Sequence, residues 1–144
     1  MPSVKDIMTK NVVTITADKT VFEGADLMDS KKIGCLIVAQ NDVPMGIVTE
    51  RDIVRRIVAK KMSSEVKISD IMTKKLVTVD PDLSLKDAAR LMSYNGIRRL
   101  PVVKQNKLVG IVVSSDFVRN VGKKSTTEEI LDAMGRYPSS SSPI

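Results

Sequence analysis

The chain has 144 residues, 42% of them hydrophobic and 28% charged, enough for one domain of ordinary size with a buried core. It has no run of about 18 apolar residues to cross a membrane and no secretory apolar segment behind Met1-Pro2-Ser3-Val4-Lys5-Asp6, and its single cysteine, Cys35, makes a reducing, cytoplasmic setting the expectation. The absence of histidine removes His-dependent triads and the commonest metal ligand, and the net charge of +6 is carried by scattered Lys and Arg pairs rather than a basic run.

Residues 12–15 are β-branched throughout and predict a short strand. Thr20-Val21-Phe22-Glu23 carries the signature of a capping box, and the spacing of Val21, Ala25 and Met28 predicts a helix that buries them. The apolar run 33–39 ends at the turn residues Asn41-Asp42, and with 45–48 beyond the turn it predicts a hairpin. A second helix is expected over 50–60, burying Ile53, Val54, Ile57 and Val58, followed by a polar linker over 62–68.

The sequence then starts again. Asp6-Ile7-Met8-Thr9-Lys10 recurs unchanged as Asp70-Ile71-Met72-Thr73-Lys74, an offset of 64. The same offset carries Leu27-Met28 onto Leu91-Met92, Gly46-Ile47-Val48 onto Gly110-Ile111-Val112, and Asp52 onto Asp116. No gap is needed from residue 6 to 57, and about twenty positions are identical, so the chain is a tandem duplication of a unit too small to bury its apolar face alone. The expected fold class is α/β (α+β), as tandem βαββα repeats over 4–61 and 69–121. Ser84-Leu85-Lys86-Asp87 starts the second copy's helix, and Pro101 favours an edge or the first residue of its strand. A short helix is expected within 122–137, with Ile130, Leu131 and Met134 on one face, and a disordered tail over 138–144.

Catalytic signatures are missing. There is no Gly-x-Ser-x-Gly, no Gly-x-Gly and no Cys-x-x-Cys, and Gly122-Lys123-Lys124-Ser125 lacks the upstream glycine of a phosphate loop. The expectation is a non-enzyme with no metal and no cofactor. One constellation stands out, Gly46-Ile47-Val48-Thr49-Glu50-Arg51-Asp52, where a strand runs into a helix. Thr49 and Asp52 suit a capping box. The same hydroxyl and carboxylate also suit a sugar diol, since an ionised carboxylate accepts two hydroxyl donors through charge-assisted bonds.

The doubled βαββα pattern, the opening Asp-Ile-Met-Thr and the closing Gly-Ile-Val-Thr-x-x-Asp together resemble a pair of CBS domains, the cystathionine β-synthase domain family, over residues 4–121. The resemblance implies a two-fold-related pair with a cleft that takes an adenosine-containing ligand: AMP, ADP, ATP or S-adenosylmethionine. It implies a stand-alone regulatory module signalling to a partner protein whose identity the chain does not reveal. On the family pattern Thr49 and Asp52 fall on ribose-binding positions, Ile47 lines the base pocket, Val77 and Ile97 flank the adenine, and Arg98 and Arg99 meet phosphate. A second set, Val13, Ile33, Gly34, Cys35, Ile111 and Asp116, departs from the pattern. Val113 replaces the Ser/Thr, with hydroxyls shifted to Ser114 and Ser115, and Gly34-Cys35 stands where the basic pair stands in the other copy. A weaker second site is expected.

The alternative is a nucleic-acid or protein-interaction module that uses the basic surface and has no nucleotide ligand. Homodimerisation is expected on the family pattern, through the helical residues Leu27, Met28, Leu91, Met92, Phe117 and Val118.

Overall fold

The computed structural model describes residues 2–119 together with 130, 133 and 134. In chain order the elements are α1 (Val4–Ile7), β1 (Thr14–Ile15), α2 (Val21–Lys31), β2 (Cys35–Gln40), β3 (Val43–Thr49) and α3 (Glu50–Ile53). A π-helical turn over Val54–Val58 follows, then α4 (Ile68–Ile71), α5 (Leu85–Asn95), β4 (Arg99–Lys104), β5 (Lys107–Val113) and α6 (Ser114–Val118). They gather into two compact units: a continuous one, Val12–Leu76, and a discontinuous one made of Met1–Asn11 with Val77–Ile144. Each unit therefore takes its Asp-Ile-Met-Thr-Lys segment from the opposite repeat.

In the continuous unit the sheet order is β1-β2-β3, parallel between β1 and β2 and antiparallel between β2 and β3. The predicted hairpin forms, and both turn residues, Asn41 and Asp42, are left-handed (φ 52° and 66°), as the tight turn that matches strand twist requires. Thr20 and Glu23 make the predicted reciprocal cap of α2. That helix buries Val21, Gly24 and Met28, while Ala25 is only half-buried. Gly24 brings the helix close to Ile68, whose Cδ1 would stand 2.9 Å from a Cβ there. Ile68, at the end of the segment read as polar linker, is fully buried. The core holds Leu36, Val38, Val48, Ile57, Ile68 and Ile71.

The helix expected over 50–60 differs from its prediction. It is α-helical for one turn and then loosens into the π-helical turn, where each carbonyl bonds one residue further on. Only one stripe of it is covered, narrower than the four apolar residues expected. Ile57 is buried and Ile53 half-buried, but Val54 and Val58 are 57% and 66% exposed.

In the discontinuous unit β4 and β5 form an antiparallel pair whose turn, Gln105-Asn106, is again left-handed at both positions. Helix α5 buries Leu85, Ala88, Ala89 and Met92 against Val4, Leu100, Val102, Val112, Phe117 and Ile130. The first strand of the second repeat is reduced to a single parallel bridge, Val79 with Val102. The reason is Pro101, which occupies the place of Ile37 and has no N–H to give on the edge where Val79 docks. Ile130 is buried in this core as expected, whereas Leu131, most of 122–137 and the tail 138–144 lie outside the described residues. Of the residues expected to form a dimer surface, Met28, Met92 and Phe117 are core residues, Leu27 and Leu91 are half-buried, and only Val118 is exposed, at 65%.

The Asp-Ile-Met-Thr segments are straps. In the discontinuous unit Thr9 exchanges two main-chain hydrogen bonds with Ile111, at 2.9 and 3.0 Å, and Met8 crosses over Gly110, where a Cβ would meet its Sδ at 2.5 Å. In the continuous unit Thr73 exchanges the same pair of bonds with Ile47, and Met72 crosses over Gly46, where a Cβ would meet its Sδ at 2.8 Å. Lys5 ties the first strap to Asp82 at 2.9 Å, an exposed pair that raises the Lys5 pKa and lowers that of Asp82 through their shared hydrogen bond.

Candidate functional site

The continuous unit brings Val13, Ile33, Gly34, Cys35, Ile47, Thr49 and Asp52 into one fold, while Val77, Ile97, Arg98, Arg99, Ile111 and Asp116 belong to the discontinuous unit. Each of the two expected sets is thus divided, and each half is described within its own unit.

In the continuous unit β3 ends at Thr49, whose extended backbone (φ −124°, ψ 164°) suits an N-cap. The Thr49 N–H donates to Asp52 Oδ2 at 2.9 Å, and the Asp52 N–H donates to Thr49 Oγ1 at 3.2 Å. The capping box is complete. It leaves the Thr49 hydroxyl hydrogen and the second carboxylate oxygen, Oδ1, outside the cap. Oδ1 faces Arg56 Nε at 3.7 Å, beyond hydrogen-bond reach, and the Asp52 side chain is 16% exposed. Across the hairpin Cys35 pairs with Thr49, and the Gly34 carbonyl accepts from Glu50 N–H at 3.0 Å, so both stand beside the cap. Ile47, two residues before the cap, is half-buried and held by Thr73.

The discontinuous unit repeats this frame with different chemistry. Arg99 pairs with Val113 across the hairpin, and the Arg98 carbonyl accepts from Ser114 N–H at 2.9 Å. Arg98 is exposed and Arg99 half-buried at the start of β4, and Ile97 and Val77 are half-buried against the core. Asp116 Oδ2 accepts from Val113 N–H at 2.7 Å, but Val113 offers no hydroxyl in return. Its Oδ1 is bound directly by Arg119, and the side chain is 3% exposed. Ile111, the counterpart of Ile47, is buried.

Arg56 is the residue that the motif reading missed. Its position four after Asp52, the spacing of a helical ion pair, was the available signal, but it stood inside a pair of surface-like arginines. Among the described residues no group of His, Cys, Asp and Glu could hold a metal, and no helix is long and apolar enough to cross a membrane.

The family model for the CBS domain matches residues 4–59 and 68–123. The CBS domain-containing protein YhcV of Bacillus subtilis (strain 168) is 42% identical over 120 residues, spanning 83% of this chain and 86% of that one. Among solved structures, the CBS domain pair of protein MJ0100 in complex with 5′-methylthioadenosine and S-adenosyl-L-methionine is similar with a TM-score of 0.77 and 30% identity, over 86% of this chain and 98% of that one. The hexameric CBS-CP12 protein from bloom-forming cyanobacteria gives a TM-score of 0.76 and 36% identity, over 92% of this chain and 77% of that one.

Proposed function

The chain belongs to the CBS-domain family, and on that premise we propose that it is a non-catalytic, cytoplasmic regulatory module that binds an adenosine-containing ligand and signals to a partner protein. One observation carries the reading. The cap of α3 uses one lone pair of Thr49 and one oxygen of Asp52, and it leaves a hydroxyl donor and a carboxylate acceptor side by side at a strand's end. A ribose diol donates twice to such a carboxylate and accepts once from such a hydroxyl. Capping and diol binding are thus compatible roles for the same two residues. Ile47 supplies apolar surface to the base. Val77, Ile97, Arg98 and Arg99 keep the adenine and phosphate roles that the family pattern gives them. The adenosine ligands of MJ0100 support the ligand class.

The set containing Asp116 is proposed as the weaker one, since its carboxylate is committed to Arg119 and no hydroxyl stands at Val113. Self-association is proposed through the exposed valines that follow each cap, Val54 and Val58 in one unit and Val118 in the other. Light scattering at tens of micromolar protein checks this, and a monomer mass rejects it.

A thermal-shift panel of AMP, ADP, ATP, S-adenosylmethionine and NAD tests the main reading. A ligand at about 100 times its Kd adds roughly 2.7 kcal/mol to stability, a visible shift in Tm. If no member moves Tm at millimolar concentration, the reading fails. Nucleic-acid binding that collapses between low and moderate salt, with no effect of the panel, favours the basic-surface alternative instead.

A further inference from the structure

The cap holds Asp52 from one side only. Its Oδ2 is fixed on the Thr49 N–H, and the carboxylate can still pivot about that bond, carrying Oδ1 toward a ligand or away from it. Arg56, one helical turn further on, lies where it stops that pivot. Its Nη1 donates to the Ile71 carbonyl at 2.6 Å, so the guanidinium is anchored on main chain at the end of α4. The rigid fork of the guanidinium then presents Nε to Asp52 Oδ1 at 3.7 Å. At that separation the arginine attracts the oxygen without occupying it, and the lone pairs of Oδ1 stay available to hydroxyl donors.

The other unit supplies the contrast. There the cation comes from Arg119, three residues after Asp116, and it binds Oδ1 directly. The position four residues after Asp116 is Asn120, so the arrangement around Arg56 has no counterpart in the sequence of the second repeat.

We infer that Arg56 is a positioning residue for the ribose diol: braced on the Ile71 carbonyl, it aims Asp52 Oδ1 at the ligand hydroxyls without touching the ligand itself. The inference rests on the proposed reading of Thr49 and Asp52 as diol contacts.

Calorimetry on the full chain with AMP and 2′-deoxy-AMP, which lacks one of the two hydroxyls, separates the possibilities. The wild-type protein is expected to prefer AMP about tenfold, the worth of one charge-assisted hydrogen bond. Arg56→Met is expected to reduce that preference to about twofold by weakening AMP more than 2′-deoxy-AMP, which keeps one of the two hydroxyls. Arg56→Lys, which keeps the charge but not the fork, is expected to fall between, and it remains informative should Arg56→Met fold poorly. If the Arg56 variants keep the full preference, or weaken both nucleotides equally, the positioning role is overturned while the diol reading stands. If the wild-type protein binds both nucleotides alike, the diol reading itself fails. If it binds neither, the adenine-nucleotide reading fails with it.

Discussion

The same carboxylate in the two units leads two different lives. Asp52 keeps one oxygen outside its cap, 3.7 Å from a cation that is braced elsewhere, and 16% of its side chain is exposed. Asp116, 64 residues later, has one oxygen on the Val113 N–H and the other on Arg119, and it is nearly sealed. Two substitutions accompany the change: Thr49 becomes Val113, and the arginine four residues past the aspartate becomes asparagine, while the arginine three residues past it, Arg55 and Arg119, is kept. A buried carboxylate with both oxygens engaged stabilises the fold, whereas one with spare lone pairs near water can recognise something. The units therefore differ less in architecture than in whether one acceptor has been left over.

The largest expected effect concerns which unit a strap belongs to. Deleting residues 2–11 removes Val4 from the core of the discontinuous unit and strips Ile111 of its two strap hydrogen bonds. The loss should exceed about 3 kcal/mol, and hydrogen exchange should show it in β4 and β5 rather than in β2 and β3. Gly110→Val should reproduce it by displacing Met8, and Gly46→Val should move the damage to the continuous unit.

Next come the two aspartates. Asp116→Ala should destabilise the fold by about 2 kcal/mol, through the lost cap and the unpaired Val113 N–H, and leave AMP affinity within about threefold. Asp52→Ala should cost about 1 kcal/mol of stability and at least tenfold in AMP affinity. The reverse pattern in calorimetry, or two equal sites per chain, would mean that the two carboxylates have been assigned the wrong way round.

A smaller contrast lies where α2 and α5 end. Lys32 and Gly96 occupy the same left-handed position, at φ 54° and 63°. Lys32→Gly should raise stability by about 0.5 kcal/mol and Gly96→Ala should lower it by about 1, both readable in a denaturant midpoint. The smallest effect is the Lys5–Asp82 pair. Because Asp82 is lowered in the folded state, its contribution is present at neutral pH and fades as acid protonates the carboxylate. Because Lys5 is raised, the contribution also fades at alkaline pH. Asp82→Asn should therefore melt slightly below wild type near pH 7, and the difference should shrink as acid protonates Asp82.

Much of this was legible in the residues themselves. The duplication, the hairpins at Asn41-Asp42 and Gln105-Asn106, and the caps at Thr20 and Thr49 are local patterns, and each formed as local chemistry dictates. What stayed hidden was relational. A repeat states that Met8 resembles Met72 and that Gly46 resembles Gly110, but not that Met8 crosses Gly110 and Met72 crosses Gly46. Periodicity also assigned four apolar side chains to one inward face, whereas the unit covers only the stripe of Ile53 and Ile57 and leaves Val54 and Val58 exposed, as the second unit leaves Val118, the counterpart of Val54. Arg56 escaped notice because its anchor, the Ile71 carbonyl, lies 15 residues away, and no side-chain pattern records a backbone acceptor.

The strap arrangement also has a consequence for biosynthesis. Every residue of the continuous unit, Val12–Leu76, is on hand once Leu76 leaves the ribosome, so that unit can close while translation continues. The discontinuous unit receives its first piece before the continuous unit is made and its β-hairpin only with Val113. At about 5–20 residues per second, Val4 and Met8 wait several seconds for the surface that will cover them. During that interval the two apolar side chains are open to chaperones, or to the Gly110 site of a finished neighbour.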